Sequence, residues 1–134
     1  MKLNDILMET LGIPFTNRCS LTIINDMGEE ITVDSEIPIT PEEKAQGLMY
    51  RDNLGKNSGM YYENIDNGFW MKDVKIPLEM IFIDDDDEIT EIVAASPEDT
   101  NNIQPSLPAT ANLEVNQGFC GDNNIGVGNK IYRS

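Results

Sequence analysis

Leu78-Glu79-Met80-Ile81-Phe82-Ile83, then Asp84-Asp85-Asp86-Asp87-Glu88, then Ile89-Thr90-Glu91-Ile92-Val93-Ala94 is the stretch whose reading decides the fold. The first segment is apolar at nearly every position and lacks helical spacing, as a central strand covered on both faces should be. Contiguous carboxylates repel one another and stay solvated most easily at a hairpin tip. The acidic run therefore predicts a turn, and the two apolar segments pair across it. A calcium loop of the EF-hand type would need spaced ligands, a Gly at its sharp turn and flanking helices. Residues 84–88 contain no Gly, and no metal site is expected there.

Working outward, Leu21-Thr22-Ile23-Ile24-Asn25 and Glu30-Ile31-Thr32-Val33 read as a second strand pair around Asp26-Met27-Gly28-Glu29. Gly28 supplies the positive φ that such a turn takes. Thr40-Pro41-Glu42-Glu43 is a capping box with Pro at the first helical position. It predicts a helix from about Pro41 to Met49 with Ala45, Leu48 and Met49 on its buried side. Residues 52–68 read as loops around Met60-Tyr61-Tyr62, and Phe69-Trp70-Met71-Lys72 as the start of an extended segment. Residues 96–108 carry three prolines and read as a loop. Ala109 to Val115 predicts a strand, and Ile125 to Ile131 a turn entering a last strand. Strands dominate.

Residues 1–12 have Leu3, Ile6, Leu7 and Leu11 at helical spacing and end at Gly12-Ile13-Pro14, which predicts a short amphipathic helix. The expected organisation is an N-terminal helix and linker over 1–19 and a single β-rich domain over 20–134. At 134 residues, one domain is the default.

The chain has 24 acidic and 9 basic residues, a net charge of −15, and no His. The lack of His removes Ser-His and Cys-His nucleophiles and the commonest transition-metal ligand. The acidity opposes binding to nucleic acid or an anionic membrane, which needs clustered Lys and Arg. Asp5 and Glu9 interrupt the apolar stretch that a secretion signal would require. The expected location is accordingly the cytoplasm, with no signal peptide and no membrane span. Cys19 and Cys120 are expected as free thiols without a cofactor or metal.

Arg51 and Lys72 flank a Met- and aromatic-rich stretch in a chain poor in basic residues. Alternation puts Trp70 and Lys72 on one side of the extended segment. A floor of Trp70, Met49 and Met60 edged by Arg51 and Lys72 would suit a small polar or anionic ligand. Glu79, opening the most apolar strand, needs a partner or a raised pKa and completes the candidate ligand-binding set. The competing reading pairs Arg51 with Glu79 or a nearby Asp and makes Trp70 and the methionines ordinary core.

These residues also carry a resemblance. Gly47-Leu48-Met49-Tyr50-Arg51, Gly59-Met60, Phe69-Trp70-Met71-Lys72, Ile76-Pro77-Leu78-Glu79 and Ile81-Phe82-Ile83-Asp84 occur in the order and spacing of the family called domain of unknown function 192. Leu113-Glu114-Val115, Gly118 and Ile125 to Ile131 extend the likeness from about residue 20 to the C-terminus. The resemblance implies a mainly β (α+β) fold, a compact barrel-like or sandwich-like antiparallel sheet with one or two short helices. It implies no established activity. The chain departs from the family at Asp73-Val74, where Asn-Thr is usual, at Glu79, where Asp is usual, and in lacking a Gly at 84–88. The opening residues, the Asn-rich loops and the acidity also resemble small proteins of marine bacteriophages.

The expected function is a non-catalytic binding or accessory domain holding a small polar or anionic ligand near Arg51, Trp70 and Lys72. The alternative is a structural or interaction protein of a phage virion that docks on a larger assembly through its N-terminal helix and sheet surface. A third reading is a carbohydrate-active enzyme working through carboxylates, but no nucleophile–base pair can be picked out. The charge balance predicts that the melting temperature rises with added salt, as screening relieves self-repulsion. A melting temperature indifferent to salt would show that the acids are compensated locally.

Overall fold

The computed structural model describes residues 15–134, so the helix expected over residues 1–12, and docking through it, lie outside the described residues. Seven strands form one sheet: β1 (Arg18–Ile24), β2 (Glu30–Glu36), β3 (Ser58–Glu63), β4 (Leu78–Ile83), β5 (Ile89–Ala95), β6 (Ala111–Asn116) and β7 (Lys130–Arg133). The helices are α1 (Pro41–Gln46) and the single turn α2 (Phe119–Asp122). The sheet order is β5-β4-β6-β3-β2-β1-β7. The fold is mainly β, as expected.

Both hairpins form where local chemistry demands them. β1 pairs antiparallel with β2, and Gly28 in the turn takes φ +75°. β4 pairs antiparallel with β5 around residues 84–88. At that tip, Asp84 Oδ1 accepts hydrogen bonds from the backbone N–H groups of Asp86 (2.9 Å) and Glu88 (3.0 Å), while Lys130 pairs with Glu88. The acidic run is a turn built on its own first carboxylate.

The sheet is antiparallel as expected except at one pair. β2 and β3 run parallel, with Asp34 opposite Ser58 and Glu36 opposite Met60. Parallel neighbours need a crossover of a dozen or more residues, which a hairpin cannot supply. Residues 37–57, with α1 inside them, are that crossover. The helix is as the capping box dictates. Thr40 Oγ1 accepts from the Glu43 N–H at 3.1 Å, and Glu43 Oε1 accepts from the Thr40 and Ile39 N–H groups at 3.0 and 2.9 Å. Those backbone donors hold the Glu43 carboxyl below its usual range. The helix is shorter than expected, and Ala45 is exposed while Leu48 is buried. Gly47 ends it with a positive φ of 50°.

Residues 58–63, expected within a loop, form β3, and the extended segment expected at 69–72 is a single bridge and a turn. Phe69 pairs with Ile103, and the Met71 N–H donates to the Asp99 carbonyl at 2.7 Å. The Pro-rich loop 96–108 thus holds Phe69-Trp70-Met71 in place.

Two apolar clusters lie on opposite faces of the sheet. On one, Ile81, Ile83, Leu113 and Val115 of β4 and β6 pack with Leu21, Ile23, Val33 and Ile131 of the other half. The sheet folds over on itself, so the arrangement is sandwich-like. It is not a closed barrel: the two edges meet at one bridge, Glu88 with Lys130. On the other face, Met60, Tyr62, Leu78, Met80 and Phe82 are roofed by Leu48, Met71, Val74 and Ile76. Cys19 and Cys120 are buried and free. No helix among the described residues is long and apolar enough to cross a membrane.

Phe82 is fully enclosed, so Phe82→Ala is expected to remove about 3–5 kcal/mol of stability in denaturant unfolding. A loss below about 1 kcal/mol would contradict the assignment of this face as core.

Candidate functional site

The roofed face is not fully filled. A cavity of about 290 Å³ lies between the end of α1, strand β3 and residues 64–70, and Glu114 of β6 reaches it. Alternation along β6 sends Ala111, Leu113 and Val115 to one face and Asn112, Glu114 and Asn116 to the other. In register, Glu114 sits between Met60 of β3 and Met80 of β4, both fully buried. A carboxyl in that setting is 5% exposed. Burial pushes its pKa up to about 7, partly opposed by a hydrogen bond from Asn112 Nδ2 at 3.2 Å. The Asn112 Oδ1 atom is buried without a hydrogen-bond partner.

The walls are aromatic. Tyr62 and Phe69 meet edge to face with centroids 5.0 Å apart, and Phe69 leans on Phe82 at 6.2 Å. Burial, reinforced by Glu114, raises the Tyr62 pKa well above the ordinary phenol value, against the opposing charge of Arg51. The phenol therefore stays protonated at neutral pH. Its hydroxyl passes so close to Gly47 that a Cβ built there would lie 2.1 Å away. Gly47 is needed twice at this corner, for its backbone angle and for its missing side chain.

The residues singled out from the sequence divide. Met49 and Trp70 line the cavity, with Trp70 48% exposed at its margin and not in the core. Lys72 keeps to the same side as Trp70, its Nζ 5.4 Å from the ring centroid, but does not line the cavity. Arg51 is committed to Glu36 by two hydrogen bonds of 2.5 and 2.8 Å and also lies 5.6 Å from the Phe15 ring centroid. An Arg–carboxylate pair was expected, but with Glu79 or an Asp. Met60 is core beside Glu114. Glu79 accepts the Cys120 N–H at 2.9 Å, on the far side of β4 from the cavity. Burial, and then Glu79, push the Cys120 thiol up and leave it a poor nucleophile.

Glu114 and Tyr62 were not picked out from the sequence as site residues. The available signal was the polar spacing Asn112, Glu114, Asn116 along an otherwise apolar strand. Of the other ionisable residues around the cavity, Lys44 and Asp66 are exposed at its rim, and Glu63 pairs with Arg133. Glu114 is the one buried charge-bearing group among the described lining residues.

Fold and site define a mixed-sheet, sandwich-like β domain with a carboxyl sunk beneath an aromatic-walled cavity. The chain belongs to the DUF192 family, described as uncharacterized ACR, whose profile matches residues 22–132. A protein of unknown function from Novosphingobium aromaticivorans DSM 12444 is 31% identical, with a TM-score of 0.79 over 86% of this chain and 84% of its own. A candidate transcription regulator from Sinorhizobium meliloti 1021 is 26% identical, with a TM-score of 0.84 over 91% of this chain and 98% of its own. A search of curated proteins found no match.

The raised Glu114 pKa has a signed consequence. From the unfolded value of about 4.3 up to about 7, the folded state keeps a proton that the unfolded chain gives up. Stability from this group is therefore lost as pH rises through that window, on the order of 3 kcal/mol in all. Subtracting the stability–pH curve of Glu114→Gln from that of the native chain should isolate this falling slope. Parallel curves for the two proteins would place Glu114 in water.

Proposed function

We propose that this domain binds a small ligand, without chemistry, in the cavity between α1, β3 and residues 64–70. The cavity carries the reading. Its volume of about 290 Å³ suits a compact molecule, close to the lower end of ligand sites at about 300 Å³. Tyr62, Phe69 and Trp70 offer apolar surface, and Glu114 offers one polar anchor at depth. Apolar walls with few, well-placed polar groups are what such sites require. The ligand position thus moves from the Arg51–Lys72 neighbourhood suggested by the sequence to the pocket behind Trp70, because Arg51 is already committed to Glu36.

The reading is compatible with the regulatory description of the Sinorhizobium relative. For this chain, 24 acids against 9 basic residues oppose direct contact with a phosphate backbone. A regulatory role would run through the ligand.

Trp70 is the sole Trp, so its emission reports occupancy of the cavity margin. Titration with a library of small aromatic fragments is expected to give saturable emission changes. Ala45→Phe, on an exposed lining position of α1, should weaken those changes at least about tenfold without altering the melting temperature. Fragments that bind the blocked variant equally well, or a library with no binder, would overturn the proposal.

A further inference from the structure

We infer that the ligand of this cavity is an organic cation, a compact primary amine whose ammonium meets Glu114 and whose apolar body lies against Tyr62, Phe69 and Trp70. The inference rests on the reading of the cavity as a ligand site and adds the chemical class of its occupant.

The polar anchor at depth favours a donor-rich guest. Glu114 is nearly enclosed, and its side-chain hydrogen bond is a single one of 3.2 Å from Asn112. Once its proton leaves, the carboxylate has about four acceptor positions, of which Asn112 fills one. The neighbouring Asn112 Oδ1 is also buried without a partner, although Asn112 lies behind Glu114 and does not line the cavity. An ammonium carries three donors and the complementary charge. A carboxylate or phosphate ligand would instead bring further acceptors and like charge against Glu114.

The charges around the cavity agree. From α1, Lys44 stands at the exposed rim, and from residues 64–70, Asp66 does the same. β3 presents Tyr62, held protonated, while Glu63 is taken by Arg133. The β4 neighbour of Glu114 is Met80, and its β6 neighbour on the same face is Asn112. Arg51 and Lys72, which would have invited an anion, do not line the cavity. No buried cation among the described lining residues opposes the incoming charge. The margin also attracts cations: Trp70 already holds the molecule's own Lys72 ammonium 5.4 Å from its ring centroid.

Binding a cation beside a carboxyl lowers its pKa. With Glu114 near 7 in the free protein, an amine binding slightly below neutrality must expel the Glu114 proton. Neither a neutral nor an anionic guest would do so.

The experiment compares 2-phenylethylamine, 2-phenylethanol and 3-phenylpropanoate on the full chain. Calorimetry is run at about pH 6.5 in two buffers of different ionisation enthalpy, with Trp70 emission followed in parallel. The amine is expected to bind at least about tenfold more tightly than the alcohol, with the carboxylate weakest and most of one proton released. Glu114→Gln should abolish both the proton release and the preference for the amine over the alcohol. The proton count on the native chain decides the matter even if that variant fails to fold. Equal binding of amine and alcohol without proton release overturns the inference and leaves the cavity reading standing. If no probe, the amine included, produces heat or an emission change, both fall.

Discussion

One carboxyl on the wrong side of a strand organises this molecule. β6 is central, flanked by β3 and β4, and its alternation turns Leu113 and Val115 into one apolar cluster. The same alternation must send residue 114 into the other, between Met60 and Met80. Removing a charge from water in such a setting is expensive unless it is paired. Here Glu114 has one side-chain hydrogen bond, from Asn112, and so holds its proton towards neutrality. A packed core would bury a Leu or Met at that position more favourably. The fold keeps a cavity above the carboxyl instead, as sites that need a poised acid or a hidden counter-ion do.

The surrounding elements keep that cavity open and shaped. The parallel β2–β3 pair forces a crossover, and the crossover brings α1 over the face that Glu114 enters. The capping box fixes where α1 begins. Gly47 fixes where it ends, and there the Tyr62 ring slides past a position that has no side chain. The Arg51–Glu36 pair ties the segment that follows the helix back to the end of β2. A bidentate, partly covered pair of this kind holds direction better than an exposed ion pair. On the opposite wall, the Phe69–Ile103 bridge seats Phe69 and Trp70.

Features written in local chemistry were legible in the sequence. The two hairpins, the capping box and the acidic turn depend on residues within a few positions of one another, and all formed. β3 was missed because its run, Ser58 to Glu63, is short and set among Asn and Gly. Its strand character comes from β2 and β6, which are distant in sequence. Trp70 was weighed as core on its residue type, but its segment is a bridge and a turn, and the ring is half in water. The family resemblance included Met49, Trp70 and Leu113-Glu114-Val115 without giving Glu114 a role. In an alternating strand, an acid normally marks the solvent face. Only the non-local facts of two flanking strands and a helical roof reverse that meaning.

The whole account turns on the state of one side chain, and carboxyl-detected carbon NMR of selectively labelled protein observes that side chain directly. Titrating the Glu114 carboxyl should give a midpoint of about 7, well apart from the surface glutamates. A midpoint near 4.3, as for about any solvated glutamate, would mean that water reaches Glu114 freely and that no buried anchor stands at the base of the cavity.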